Sequence, residues 1–421
     1  MTCLLIRRHP RNHRRRQTGA SLIRSLGTAC SLRQVWRIRG HSVIACRLST
    51  LSLALAVLAF AWPWALADEQ VTPNAMIMAL EGAFGNHPGM RKNHAKGMCA
   101  TGNFVGLSEA TSYSRSALFS DATIPVVARF SIGGGDPNAP DAGKGPRGMA
   151  LEFRLADGSK QHMTMINAPM FVAIVPKTFL DNLIALKPDP ATGKPNPAAL
   201  QAFSATHPDS AGMTKFYEEH NPPPSYANSA FFGIHTFKFI DKNNKTTLVK
   251  WRFVPQDGEK ELTNAELTSM PHDFLEHALI DRVRQGPVKW DMWVTVGQPG
   301  DAETDPTVLW PSDRKEFKAG TLTFTSATPQ EGAECKNINY DPLVMSDGIA
   351  PTDDPVLLFR SPSYALSWAA REDATGQSLA YVYGRETKAD ADIAHVLTMD
   401  EAQRVASNVA KLPELLNSRG D

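Results

Sequence analysis

Short stretches with a two-residue apolar period recur through residues 68–421, separated by polar, turn-forming segments. Residues 125–132 and 149–155 alternate or run apolar, residues 231–239 alternate clearly, and residues 289–296 repeat the pattern. Residues 247–254 supply a partner for 231–239 across the polar turn from Asp241 to Lys245. Consecutive strands joined by turns pair antiparallel. Helical patterning replaces the strand pattern at 263–285 and 399–416, which predicts two helices. The first opens on Thr263, with Glu266 at capping-box spacing. Residues 187–224 carry eight prolines, including Pro222, Pro223 and Pro224, and read as a long surface excursion. A strand-rich core with helices late in the chain is an α+β layout, and closing the sheet into a barrel would remove its edges. No internal repeat or long linker divides 68–421, so a single domain is expected there.

Composition changes the picture at the N-terminus. The chain has 421 residues, 42% of them hydrophobic and 21% charged, which excludes both a disulfide-stapled mini-protein and wholesale disorder. The formal net charge of +1 hides an asymmetry. Residues 1–67 hold eleven of the 44 basic residues and no acidic ones, leaving 33 basic against 43 acidic residues, or −10, in the remainder. Within that leader, the apolar run from Leu51 to Phe60 follows Arg47 and leads into Ala65-Leu66-Ala67. A basic flank, a short apolar run and an A-x-A end predict a secretory signal cleaved after Ala67, hence a periplasmic or secreted protein. The alternative is an uncleaved anchor, but 51–67 is at the short limit for a span of roughly 20 residues and Pro63 interrupts it. The arginine-rich stretch around Arg14, Arg15 and Arg16 either binds nucleic acid or lies upstream of the true start, and residues 1–46 receive no function. The acidic body argues against a nucleic-acid or anionic-membrane partner. Cys3, Cys30 and Cys46 fall in the leader, leaving Cys99 and Cys335. These two can pair in an oxidising compartment if their Cα atoms lie within ~7 Å. There is no C-x-x-C, so no structural zinc is expected.

Zinc-protease, P-loop and dinucleotide motifs are absent, and Gly133-Gly134-Gly135 lacks phosphate-binding spacing. His272 and His277 are five apart and do not share a helix face. What remains is an ordered set of short motifs. It comprises Arg91-Lys-Asn-His94-Ala-Lys-Gly97, Ala128-Arg-Phe-Ser131, Gly145-Pro-Arg-Gly148, Asn167-Ala-Pro-Met-Phe171 and Arg360-Ser-Pro-Ser-Tyr364. His235-Thr-Phe-Lys238 and Gly348-Ile-Ala-Pro-Thr-Asp-Asp354 belong with it. In this order the set resembles the haem catalase family, over residues 88–371. The departures below, the short length and the export signal resemble its catalase-related peroxidase branch. The resemblance implies an eight-stranded antiparallel β-barrel with flanking and C-terminal helices, enclosing haem b.

It also implies roles. Tyr364 corresponds to the axial iron ligand. A phenolate donates strongly to iron, but a free phenol holds its proton to about pH 10. Arg360, one helical turn earlier, supplies the positive charge that ligation needs. His94 corresponds to the distal acid–base catalyst, since imidazole titrates in the range a proton shuttle requires, and Ser131 to the hydroxyl that orients it. Asn167 is the candidate for a distal amide that binds peroxide. An ungapped register instead places Ile166 there. Arg91, Arg129 and Arg371 correspond to partners of the haem propionates, where bidentate guanidinium geometry fits carboxylates. Phe179 corresponds to an aromatic near the haem face, whereas Phe171 reads as core.

Three departures favour peroxidase over catalase turnover. Gly145 stands where catalases have an Asp in the peroxide channel. Gly133 stands where a Val narrows the channel. Asn93 replaces an apolar neighbour of the distal histidine and makes the pocket more polar. The expected activity is reduction of hydrogen peroxide or organic hydroperoxides, with a small organic electron donor, through an oxoferryl intermediate. Homo-oligomers are a family habit. The alternatives are a true catalase, a fatty-acid hydroperoxide isomerase and a non-enzymatic haem-binding protein. No flavodoxin-like extension, and so no NADPH, is expected.

Overall fold

The computed structural model describes residues 71–374 and three short strands, Thr2–Ile6, Ala380–Arg385 and Leu397–Thr398, which form a small sheet of their own. The apolar run at 51–67 and the predicted helix at 399–416 lie outside the described residues.

Eight strands build the main sheet. They are β1 (Gly97–Gly106), β2 (Thr123–Ile132), β3 (Arg147–Arg154), β4 (Lys160–Ile166), β5 (Phe231–Ile240), β6 (Thr246–Pro255), β7 (Val288–Val296) and β8 (Glu316–Pro329). They pair in the order β5-β4-β3-β2-β1-β8-β7-β6, and β6 pairs back onto β5, which closes an antiparallel barrel. A short strand, Ile349–Pro351, lies along the outer half of β5. The five strands legible from periodicity are β2, β3, β5, β6 and β7. The other three carry weaker signals: β1 and β8 are rich in Gly, Ala and Thr, and β4 is interrupted by His162 and Thr164. Burial against their neighbours defines them, and this context routinely outweighs intrinsic strand preference.

The barrel interior is a packed aromatic core. Phe130 is fully buried, its ring centroid 5.7 Å from those of Trp290 and Phe324 and 5.8 Å from that of Phe231. Trp290 donates its Nε1–H to the Ser229 carbonyl at 3.0 Å, so its one polar group is satisfied. Successive residues of a strand face opposite sides. The outer face of the same strands therefore carries Cys99 on β1, Arg129 and Ser131 on β2, Gly148 and Ala150 on β3, and Thr164 and Ile166 on β4.

Three helices cover that outer face: α1 (Pro73–Phe84), α2 (Pro176–Ala185) and α7 (Pro355–Ala374). Met76, Ile77 and Leu80 of α1 cluster with Leu183 of α2 and Phe359 of α7. Thr72 caps α1, accepting from the Ala75 amide at 3.1 Å, and Pro73 fills the first helical position. The excursion at 187–224 is not structureless: it holds α3 (Pro197–Thr206) and α4 (Ala211–Glu219). The helix predicted over 263–285 is two, α5 (Asn264–Ser269) and α6 (Phe274–Arg284). Met270 is extended because Pro271 follows it. The capping box at Thr263 and Glu266 is formed. Cys99 and Cys335 are joined as a disulfide, with Cα atoms 5.6 Å apart. Among the described residues no helix is long and apolar enough to cross a membrane.

Candidate active site

Between the outer face of β2–β4 and the three helices lies a cavity with about 1280 Å³ of empty space, counting its open mouth. The barrel does not enclose it, contrary to the expectation of an internal cofactor: its interior is filled by the aromatic core. His94, Ser131, Arg91, Arg129, Phe179, Arg360, Tyr364 and Arg371 all line this one cavity.

On the strand side, His94 Nδ1 lies 3.0 Å from Ser131 Oγ. His94 has a φ of 55°, a left-handed backbone uncommon outside glycine. Asn93 holds that turn: its Oδ1 accepts from the His94 amide at 2.9 Å and the Gly134 amide at 2.8 Å. Asn93 thus lends its carbonyl to the backbone, rather than simply making the pocket polar. Gly148 leaves room for the pair, because a Cβ there would lie 2.7 Å from Ser131 Oγ and 3.0 Å from His94 Nδ1. Burial, and then the positive charges of Arg129, Arg360 and Arg91, push the His94 imidazole down to about 3. It is therefore neutral at ordinary pH.

The distal amide assignment needs correction. Gly148 pairs directly with Ile166, so the Ile166 side chain shares the face that holds His94 and Ser131, and Ile166 lines the cavity. Asn167 lies one residue on and faces away. Its Oδ1 accepts from the Arg147 amide at 2.8 Å and from the Tyr217 hydroxyl at 3.0 Å, beside a second cavity. Gly145 lines that second cavity. Gly133 lines neither cavity, and a Cβ there would lie 3.1 Å from Pro146 Cβ. Phe171, read as core, lines the main cavity, with its ring 5.3 Å from Phe179.

On the helix side, Arg360 Nη2 donates to the Tyr364 hydroxyl oxygen at 2.8 Å and to Thr164 Oγ1 at 2.7 Å. Its Nη1 donates to His235 Nε2 at 3.1 Å, and His235 Nδ1 lies 2.7 Å from Asp354 Oδ2. A guanidinium only donates, so Nε2 accepts and the ring proton sits on Nδ1, facing the carboxylate. Burial lowers the His235 pKa despite Asp354, consistent with that neutral tautomer. Asp354 also caps α7, its Oδ1 accepting from the Val356 and Leu357 amides at 2.8 and 3.2 Å. His235 reaches this position because β5 bulges: Ile234 to Thr236 stand against Lys250 alone, between the Gly233–Trp251 and Phe237–Val249 pairs. Thr164, His235 and Asp354 are site residues to which sequence reasoning gave no role, although His235 and Asp354 lie in motifs it quoted.

Three guanidiniums, Arg129 and Arg371 buried and Arg91 half-buried, gather at one end of the cavity. Arg91 Nη2 donates to the carbonyls of Cys335, Lys336 and Ile338 at 3.2, 3.3 and 2.8 Å. Arg129 donates to Gln330 Oε1 and the Ala95 carbonyl, at 2.8 and 2.9 Å, and Arg371 to the Lys336 carbonyl at 2.9 Å. Among the described residues, Arg91 and Arg129 form no ion pair. Burial and then the Arg91 charge press the Arg129 pKa well below its ordinary value. The guanidinium keeps its proton, so a buried positive charge stands here at a desolvation cost that an anion would offset.

The catalase family model matches residues 88–382. A catalase-related peroxidase from Synechococcus elongatus is 56% identical over 301 residues, covering 72% of this chain and 89% of that protein. A catalase-related peroxidase from Mycolicibacterium paratuberculosis is 34% identical, covering 70% and 94%. Catalase A from Saccharomyces cerevisiae superposes with a TM-score of 0.63 at 23% identity, which speaks to the fold alone, and the match covers 68% of this chain and 62% of that one. The barrel, the Arg360–Tyr364 pair below it and the His94–Ser131 pair above the same cavity are thus carried by a sequence that belongs to the catalase family, on its peroxidase branch.

Proposed function

We propose that this chain is a haem b peroxidase that reduces hydrogen peroxide or organic hydroperoxides at the expense of a small organic electron donor. The residues present fit a haem. The cavity offers apolar walls from α1 and α2, one phenol oxygen on α7, and a cluster of guanidiniums met only by neutral acceptors where Arg91 and Arg129 are concerned. Tyr364 would hold the iron, and Arg91, Arg129 and Arg371 the propionates. Bound there, haem supplies iron that peroxide oxidises and a donor re-reduces.

The residues do the rest. Arg360 stabilises negative charge on the Tyr364 oxygen, and the chain through His235 to Asp354 keeps that guanidinium in place. In the tautomer whose Nδ1–H donates to Ser131, neutral His94 leaves Nε2 to take a proton from one oxygen of the hydroperoxide and return it to the other. Ile166 beside that pair gives the pocket an aliphatic wall where an amide would bind hydrogen peroxide. This single observation carries the preference for peroxidase turnover and for hydroperoxides with an organic substituent. Export through the leader at 1–67 is part of the proposal, and the Cys99–Cys335 disulfide supports an oxidising compartment.

The test is to add peroxide to the haem-loaded protein with and without an oxidisable dye, while following oxygen. Dye oxidation should far exceed oxygen release. Steady oxygen evolution as the dominant outcome would make the protein a true catalase instead.

A further inference from the structure

We propose that the Cys99–Cys335 disulfide positions the guanidinium cluster that receives the cofactor's carboxylates, acting through the turn at Glu334–Asn337. The proposal rests on the haem reading above. Cys99 stands on β1 directly opposite Arg129 on β2. Cys335 lies in the turn, and its carbonyl and those of Lys336 and Ile338 receive the Arg91 guanidinium, while the Lys336 carbonyl also receives Arg371. One covalent bond therefore fastens to the barrel the segment that aims two of the three arginines, at the strand position beside the third.

The cluster needs such a brace. Three like charges stand together, and at Arg129 burial followed by repulsion from Arg91 opposes the charge. Neutral carbonyls of the turn hold Arg91 only if those carbonyls stay put. The turn's ion pairs, Glu334 with Arg154 and Lys336 with Glu331, are largely exposed and contribute little. Cys99, Val127, Cys335, Ile338 and Tyr340 form a small cluster apart from the barrel core, and the disulfide is the covalent link within it. The bond pre-organises the carboxylate site before the cofactor arrives.

The experiment uses the haem-loaded full chain and measures haem transfer to excess apomyoglobin. Removing both cysteines (C99A with C335A) should speed transfer roughly tenfold. In an Arg91→Lys background the same pair should add less than about twofold, because the brace acts through Arg91. A structural control, Leu279→Ala in the fully buried core of α6, should lower the melting temperature without matching that acceleration. Wild-type transfer rates in the cysteine variant would overturn the proposal. So would full additivity with Arg91→Lys, or equal acceleration by the control. If the variant does not accumulate, the wild-type holoprotein opened by a dithiol gives the same reading: two electrons and two protons pass to the sulfurs as the reductant closes to its own disulfide. A wild-type chain that takes up no haem would defeat the haem reading itself, whereas unchanged transfer from a haem-loaded variant defeats the brace alone.

Discussion

The two sides of the cavity are built on different physics. The helix side is a chain of charge-assisted contacts, Asp354 to His235 to Arg360 to Tyr364, in which each group has its partner within 3.1 Å. On the strand side the His94 ring has one hydrogen bond, to Ser131, and sits among Gly148 and Ile166. A ligand oxygen that must carry negative charge needs a fixed positive neighbour, and the helix side provides one. A base that must gain and return a proton needs to be neutral and loosely committed, and the strand side leaves it so. A wall of charge-assisted contacts and a wall whose histidine ring makes a single hydrogen bond share one cavity because they come from different elements, α7 and the outer face of β2–β4.

That contrast can be broken in stages. His94→Ala should lower peroxide turnover by roughly 10²–10⁴-fold while haem stays bound, the usual cost of losing a general acid–base group; unchanged turnover would remove His94 from the chemistry.

His94 also sets a pH dependence in the cofactor-free chain. Its native pKa is held at about 3, whereas an unfolded imidazole titrates near 6.5. Between these values the unfolded chain binds a proton that the native state refuses. Stability is therefore full above about 6.5 and falls toward 3, by up to about 1.4 kcal/mol per pH unit. Urea midpoints for the wild type and His94→Phe at about pH 4.5 and about pH 7.5 check it, and the variant should lose this component.

On the helix side, His235→Ala leaves Asp354 buried without its ring partner and should cost about 2–3 kcal/mol of stability in denaturant titrations. Ser131→Ala removes one hydrogen bond to the base, about 1 kcal/mol, and should lower kcat roughly fivefold. Asn167→Ala should change turnover by less than about twofold, its loss appearing in stability, since its partners are Arg147 and Tyr217. A hundredfold fall in turnover would return Asn167 to the catalytic pocket.

Much of this site was legible because its chemistry is written in compact local motifs. Arg360 and Tyr364 are one helical turn apart, so sequence spacing already implied their contact. His94 and Ser131 were paired through family resemblance, and the structure sets them 3.0 Å apart. The choice between Ile166 and Asn167 was not legible, because neighbouring strand residues face opposite ways and a one-residue shift reverses every orientation. The roles of His235 and Thr164 were hidden for a different reason: each reaches Arg360 only after the chain has closed over 125 and 196 residues.

By itself, the sequence determined the strand-rich α+β class, the capping box at Thr263, the basic first 67 residues before an acidic remainder, and the inventory of groups able to hold and work a haem. The first three rest on periodicity, charge and spacing, which are local, and the last on short motifs matched through family resemblance. Tertiary structure decided that the barrel interior would be aromatic core and the cavity would lie outside it. It decided that Ile166 would face the base, that Cys99 would meet Cys335, and that three arginines would share one end. Each of these depends on strand register and closure, and no single segment carries that information.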